Sequence, residues 1–195
     1  MTIAPNASSL LLSTPDGKTG EVLIDATQPD LVEEFILANF AHHGQPVVVI
    51  DGRSGSGKTT LANTLFRRHH DWQLVHADDL YPGWSGLSQV WDLSDLVTGH
   101  RYRRWDWYEN RFADEVTLDH NRPLVIEGCG VLTPVNARLA CVRVWCEAPA
   151  SLRRRRALAR DPEFRDYWAM WAIQEGLHIA RHKPADLADL TVSNR

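Results

Sequence analysis

The order of segments along the chain predicts an α/β fold built on a mostly parallel sheet. Extended β-branched stretches alternate with helix-periodic ones, the pattern that strand–helix–strand crossovers produce. One of them, Pro46-Val47-Val48-Val49-Ile50, is apolar without interruption, as a strand covered on both faces must be. Size agrees: 195 residues, 44% hydrophobic and 24% charged, suffice for one domain with a sizeable core and exclude wholesale disorder. Nothing resembling a linker divides residues 1–195, so a single domain is expected.

Residues 9–25 read as two short strands about Pro15-Asp16-Gly17, where Pro presets one turn dihedral and Gly supplies the other. A short N-terminal β-hairpin is expected there. Over 28–43, Leu31, Val32, Phe35, Ile36 and Phe40 recur at the spacing of a helix with one buried face, and Gly44 and Pro46 end it. This hairpin and helix form an N-terminal addition over residues 1–45. The strand at 46–50 is followed by a helix from Lys58 to His70 and a strand from Trp72 to His76. A helix is expected from Ser88 to Val97, ended by Gly99. Arg101 to Tyr108 alternates like an edge strand or extended arm, and 110–118 reads as helical. A strand at Leu124–Glu127, a short helix opened by Thr133-Pro134 and a strand at Cys141–Cys146 follow. Residues 150–182 are mainly helical with a break near Asp161-Pro162, and Leu190–Val192 is a last strand.

The formal charge of −4 gives no reason to expect nucleic acid or membrane as partner. Cys129, Cys141 and Cys146 form neither a CxxC pair nor a metal-ligand spacing, and read as reduced thiols of a cytoplasmic protein. The N-terminal segment lacks a basic n-region, and the run at Val47–Ile50 is far too short to span a bilayer. Two counts stand out: eight tryptophans, and 18 arginines against three lysines.

Gly52-Arg53-Ser54-Gly55-Ser56-Gly57-Lys58-Thr59 is the pattern G-x4-G-K-[ST], placed between a buried strand and a helix as its mechanism requires. Glycines let the backbone curl so that N–H groups point at phosphate oxygens, and the helix N-terminus adds positive potential. Gly52, Ser54, Gly55, Ser56, Gly57, Lys58, Thr59 and Thr60 are therefore the candidate nucleotide contacts. Lys58 would bridge β- and γ-phosphates, and the Thr59 hydroxyl would bind Mg²⁺. A P-loop NTPase fold follows. No Asn-Lys-x-Asp segment reads guanine, and the chain after the loop is short for a motor with a lid domain, so a small kinase fits best.

Such a kinase needs an acceptor-side carboxylate, a carboxylate for the metal shell, and arginines that close over the phosphates. His76-Ala77-Asp78-Asp79-Leu80-Tyr81 ends the second strand on the edge where open α/β sheets bind ligands. Asp78 is the first candidate for the base. Asp79 is either an acceptor contact or a cap of the next element. Because a monophosphate already offers an anionic oxygen, an acidic pair here favours a hydroxyl acceptor. Glu127 ends a buried strand at the same edge, placed to hold a magnesium-bound water. Arg153, Arg156 and Arg160 share a helix face, so residues 150–165 read as an arginine lid in which Arg160 joins the catalytic group. Between the carboxylate strands, residues 84–120 carry Trp84, Trp91, Trp105 and Trp107. If 101–108 is extended, Tyr102, Arg104, Asp106 and Tyr108 face one way and Arg101, Arg103, Trp105 and Trp107 the other. Tyr81, Arg104, Trp105, Asp106 and Trp107 are the remaining candidate acceptor contacts. Trp168 and Trp171 read as a packed stripe on the late helix.

Together these residues resemble the uridine kinase family and its phosphoribulokinase-like relatives among P-loop kinases. The matching pieces are Ile50-Asp51-Gly52 to Thr60, Asp78-Asp79-Leu80-Tyr81 for that family's Asp-x-Phe-Tyr, and Ile126-Glu127-Gly128 for its Phe-Glu-Gly. Arg160-Asp161 resembles the Arg-Asp of its lid, Ala188-Asp189-Leu190 its final strand, and Trp105-Asp106-Trp107 echoes its acceptor-side Tyr-Asp-Phe. The resemblance spans 47–192 and leaves the N-terminal addition outside. It implies a five-stranded, mostly parallel sheet flanked by helices, ATP and Mg²⁺ as cofactors, Asp78 as base, and Asp106 gripping acceptor hydroxyls. The expected activity is transfer of the ATP γ-phosphate to a hydroxyl of a small metabolite, nucleosides and nucleoside-like compounds included. A nucleoside monophosphate kinase and a non-catalytic nucleotide-binding regulator are the alternatives. The oligomeric state is left open, a homodimer included.

Overall fold

The computed structural model describes residues 22–40 and 44–194. Its elements run β1 (Val22–Asp25), α1 (Pro29–Ala38), β2 (Val47–Gly52), α2 (Lys58–Arg68), β3 (Gln73–His76), α3 (Ser94–Gly99), β4 (Arg101–Asp106), β5 (Arg111–Thr117), β6 (Leu124–Gly128), β7 (Val142–Glu147), α4 (Ala150–Arg160), α5 (Phe164–His182), α6 (Pro184–Leu187) and β8 (Leu190–Ser193). Six strands form one sheet in the order β1-β8-β7-β2-β6-β3, every pair parallel.

The alternation of side chains along the central strands divides the core in two. Val47 and Val49 of β2, with Leu124 and Ile126 of β6, join the cluster that contains Tyr81, Phe164 and Trp171. Val48, Ile50 and Val125 join Leu61, Leu65, Val32 and Ile36 from α1 and α2 on the other face. With both faces covered, β2 and β6 are buried at every position.

Three expectations are corrected. The sheet has six strands rather than five, because β1 pairs in parallel with β8, Val22 opposite Leu190. The residues expected to form the other arm of an N-terminal hairpin lie outside the described residues. Within the described residues β1 belongs to the main sheet, where it covers the β8 edge and buries Ile24. Second, the single helix expected from 88 to 97 is a 3₁₀ turn at Leu87–Trp91 followed by α3. Buried Asn136 breaks it by bonding the backbone from the side: its Nδ2 donates to the Val90 and Val131 carbonyls at 2.9 and 2.7 Å, while Leu93 N–H donates to its Oδ1 at 2.8 Å. Third, the segment 110–118 is not helical. Residues 111–117 form β5, antiparallel to β4, with a register shift between Arg103 and Trp105. The turn closing this hairpin is set by Asp106, whose carboxylate accepts from Tyr108 and Glu109 N–H at 2.9 Å each, and by Asn110 at φ +50°.

Gly52, His76 and Gly128 end β2, β3 and β6 at one edge of the sheet, and that edge holds the candidate site.

Candidate active site

The chain leaves β2 into a tight loop and re-enters a helix at Lys58. Two glycines make this path possible. Gly57 caps α2 at φ +101°, and Gly55 has φ +79° with a backbone so close that a Cβ would lie 2.1 Å from the Arg153 carbonyl oxygen. No side chain caps the first turn of α2, so its N–H groups and macrodipole face an open concavity. An uncapped eleven-residue helix behind a glycine cradle fits a phosphate group. Lys58 is buried; burial opposes its charge, but the carboxylates of Glu127, Asp78 and Glu175 favour it, and its pKa lies above the ordinary value.

The loop is braced from two helices. Glu175 of α5, buried, accepts from Ser54 N–H at 2.6 Å and pairs with Arg53 Nε at 2.8 Å. Arg153 of α4 turns inward, donating from Nε to the Ala148 carbonyl at 3.1 Å and from Nη1 to the Ser54 carbonyl at 3.4 Å. Arg153 thus fastens the loop backbone, whereas Arg156 and Arg160, both exposed, border the open cavities beside the loop. Burial lowers the Arg153 pKa, with Arg53 acting in the same direction. Asn194, just past β8, donates to the Ser56 carbonyl at 2.8 Å and accepts from Arg156 at 3.4 Å.

Glu127 contacts one expected residue, Thr59, and one that the sequence did not single out, His76. Its Oε2 accepts from the Thr59 hydroxyl at 3.1 Å, and its Oε1 lies 2.6 Å from His76 Nδ1. This hydrogen bond raises the His76 pKa, against the pull of burial. Among the described residues no cluster of three His, Cys, Asp or Glu side chains could hold a metal alone. Thr59 and Glu127 fit Mg²⁺ in the manner in which that ion is held beside phosphates, by one or two protein oxygens and waters.

A cavity of about 550 Å³ opens beside the loop, bordered by Lys58, Thr59, Asp78, Asp79 and Arg160 on its polar side. Asp78 is open to this cavity but ringed by protein, and burial raises its pKa against the opposing charge of Lys58 and Arg160. Asp79, half-buried, is also raised by burial, with Arg104 and then His76 pulling it down. The opposite wall is aromatic. Trp84 stacks on Tyr167 with centroids 4.3 Å apart and planes at 8°, and packs on Phe164 at 5.3 Å and on Trp107 at 5.0 Å. Tyr81, buried, donates its hydroxyl to the Cys129 carbonyl at 2.7 Å and meets Trp171 edge-on at 5.0 Å. Trp107 Nε1 donates to the Asp78 carbonyl at 2.9 Å, tying the β4–β5 hairpin to the strand end that carries the acid pair. The Cys129 thiol is pushed up to about 12 by burial and stays neutral.

Of the acceptor contacts expected from the sequence, Asp79, Tyr81 and Trp107 border the cavity and three do not. Asp106 caps the hairpin turn, its Oδ1 accepting from two backbone N–H groups, and it does not border the cavity. Trp105 packs edge-on against Phe112 at 5.0 Å within the hairpin, because the bulge breaks the strict alternation that would have put it beside Trp107. Arg104 is exposed, and its charge bears on Asp79 from outside the cavity wall. The reverse also occurs: Trp171, expected to be packing alone, lines the cavity together with Phe164 and Tyr167 from the first turns of α5. Glu175 and His76 complete the list of missed residues. Their only signal was a charged or titratable group on a helix face or strand that otherwise reads as core.

A second cavity, about 280 Å³, lies on the far side of the loop between Thr60 and Thr64 of α2, Val192 of β8 and Asn194 just past it, and Ala26 and Pro29 of the N-terminal addition.

No protein-family model matches the sequence, and no curated protein does. Solved structures do match. A possible uridine kinase from Bacillus stearothermophilus superposes with a TM-score of 0.61 at 21% identity, over 85% of this chain and 97% of that one. A candidate fructose transport system kinase from Silicibacter sp. TM1040 superposes with a TM-score of 0.53 at 20% identity, over 84% and 98%. Among the described residues no helix is long and apolar enough to cross a membrane. The chain therefore shares the α/β fold of these two structures, with a six-stranded parallel sheet.

Proposed function

We infer that the protein is an ATP-dependent small-molecule kinase that moves the γ-phosphate to a hydroxyl of a small metabolite. The observation that carries this reading is the sharing of one cavity by Lys58, Thr59 and Asp78, which belong to a phosphate loop and an acceptor-side strand end. Bound Mg²⁺–ATP supplies an electrophilic γ-phosphorus. The N–H groups at the start of α2 hold the phosphates, Lys58 neutralises their charge, and Thr59 with Glu127 holds the ion. Asp78 accepts the proton of the acceptor hydroxyl and aims its oxygen. Arg160, at the lid end of α4, stabilises the charge that develops on transfer.

A nucleoside monophosphate acceptor is disfavoured by the cavity's charge. Besides Lys58 and Arg160 it is bordered by Asp79, Asp161 and Glu163, which repel a second phosphate. The likeness to structures named as uridine and fructose transport kinases supports an alcohol acceptor without naming it. The test is an ADP-release screen over nucleosides, sugars, vitamins and aminoglycoside-type alcohols, with monophosphates in parallel. Turnover of an alcohol is expected. Preference for monophosphates would replace this reading with a nucleotide kinase, and nucleotide binding with no acceptor turned over would replace it with a regulator.

A further inference from the structure

The acceptor half of the 550 Å³ cavity combines two features that core packing does not explain. Trp107 and Tyr167 border it and each packs on Trp84, yet they remain 39% and 38% exposed, so part of each ring at its mouth is left uncovered by the protein's own side chains. Carboxylates outnumber cations along the border, four (Asp78, Asp79, Asp161, Glu163) against two, and both cations, Lys58 and Arg160, sit at the phosphate end. Asp161 also caps α5 through the Glu163 and Phe164 N–H groups, which leaves its charge in place. Arg104 offsets part of the Asp79 charge from outside the wall. Among the described residues no Asn or Gln side chain borders the cavity; Gln174 nearby is spent on the backbone of Trp84 and Leu87. The wall therefore lacks the side-chain amides that read a neutral nucleobase edge, and it has what an organic cation needs: ring faces with negative quadrupoles and carboxylates on the same cavity border.

Resting on the kinase reading above, the geometry points to an acceptor that is a hydroxylated organic cation, a quaternary ammonium or N-substituted heteroaromatic alcohol seated against Trp84, Trp107 and Tyr167. Its oxygen bonds to the γ-phosphorus as the bond from that phosphorus to the bridging oxygen of the nucleoside triphosphate breaks. The nucleoside diphosphate leaves with that electron pair, and the hydroxyl proton passes to Asp78.

Matched pairs test the charge alone: choline against its neutral isostere 3,3-dimethylbutan-1-ol, and an N-ribosylpyridinium against uridine. Each is titrated calorimetrically into the full-length protein with Mg·ADP, and phosphoester formation is followed separately with Mg·ATP. In at least one pair the cation should bind about tenfold more tightly than its neutral partner. Tyr167→Leu, and independently Trp107→Leu, should bring that ratio to within about threefold of unity, with melting curves verifying that each variant is folded. No preference for the cation in either pair overturns the inference, and so does a preference that survives both substitutions in folded protein. A cation that binds selectively but yields no phosphoester keeps the cation site and removes the kinase reading instead.

Discussion

Asp78 is a carboxylate held where ionisation is costly, and cost of that kind belongs to sites rather than to packing. Its pKa is raised by burial, so at neutral pH the folded state carries a charge that the unfolded chain solvates better. The penalty is fully present above the folded pKa and disappears as pH falls below the ordinary value of 3.8. Asp78→Asn removes the charge and, on the kinase reading, the base together. It should lower kcat at least about a hundredfold with nucleotide affinity retained. The same variant should melt no lower than the parent at pH 7 and lose any advantage toward pH 4. Steady-state kinetics and melting curves across pH measure both, and undiminished turnover removes the base assignment. The wild-type acid limb of kcat should lie above the ordinary carboxylate range, and Arg160→Gln, by removing an opposing cation, should move it further up. Gly55 is constrained by sterics rather than charge. With φ +79° and the Arg153 carbonyl 2.1 Å from a hypothetical Cβ, Gly55→Ala should cost about 1–3 kcal/mol or more and abolish nucleotide binding, read by thermal shift with Mg·ATP.

Among the elements, α5 connects the two halves of the site. Its first turns bring Phe164, Tyr167 and Trp171 to the acceptor cavity, and one turn further on Glu175 grips the phosphate loop. Glu175→Ala would leave Arg53 and the Ser54 N–H without their partner; Arg53 is partly exposed, so the cost should be about 2 kcal/mol. Nucleotide affinity should fall as well, although Glu175 borders none of the open space beside Lys58; calorimetric titration of Mg·ADP measures it, and unchanged affinity would remove the bracing role. How much of this was legible in the sequence depended on range. The phosphate loop, Asp78 and Glu127 announce themselves locally, because strand, turn and helix adjoin in the chain and their chemistry is written in the turn. Trp105 packs within the hairpin because a bulge, which no local pattern marks, shifted the alternation on β4, and Asp106 is drawn into capping the turn that follows. Residues 111–117 contain Ala113 and Glu115, which suit a helix, yet pairing with β4 made them a strand. The contribution of α5 was hidden for a third reason. A helix with aromatic residues on more than one face looks like packing until the partner surfaces are known.

For the whole molecule the question is whether the N-terminal addition is an appendage or part of the one core. β1 extends the parallel sheet beside β8, and Val32 and Ile36 of α1 are completely buried in the cluster that also holds Val48 and Ile50 of β2 and Leu61 of α2. Surface ties follow the same line: Arg68 at the end of α2 pairs with Asp30 at 2.6 Å and with Glu33 at 2.5 Å, and His69 lies 2.7 Å from Glu33. The addition also supplies Ala26, Pro29 and Val32 to the cavity beyond the phosphate loop, so its docking and the shape of that cavity are one packing problem. A shared core implies shared cooperativity. Ile36→Ala should therefore leave a cavity that lowers global stability by about 2–4 kcal/mol. Unfolding should remain a single transition, with coincident midpoints by circular dichroism and by tryptophan fluorescence. Trp72, buried in the same cluster, and Trp171, buried in the opposite one, report both faces of the sheet at once. Mg·ATP should raise that one midpoint in parent and variant alike by mass action. If the addition were an independent unit, the variant would instead show an early, partial step that nucleotide leaves in place, with the main transition unmoved.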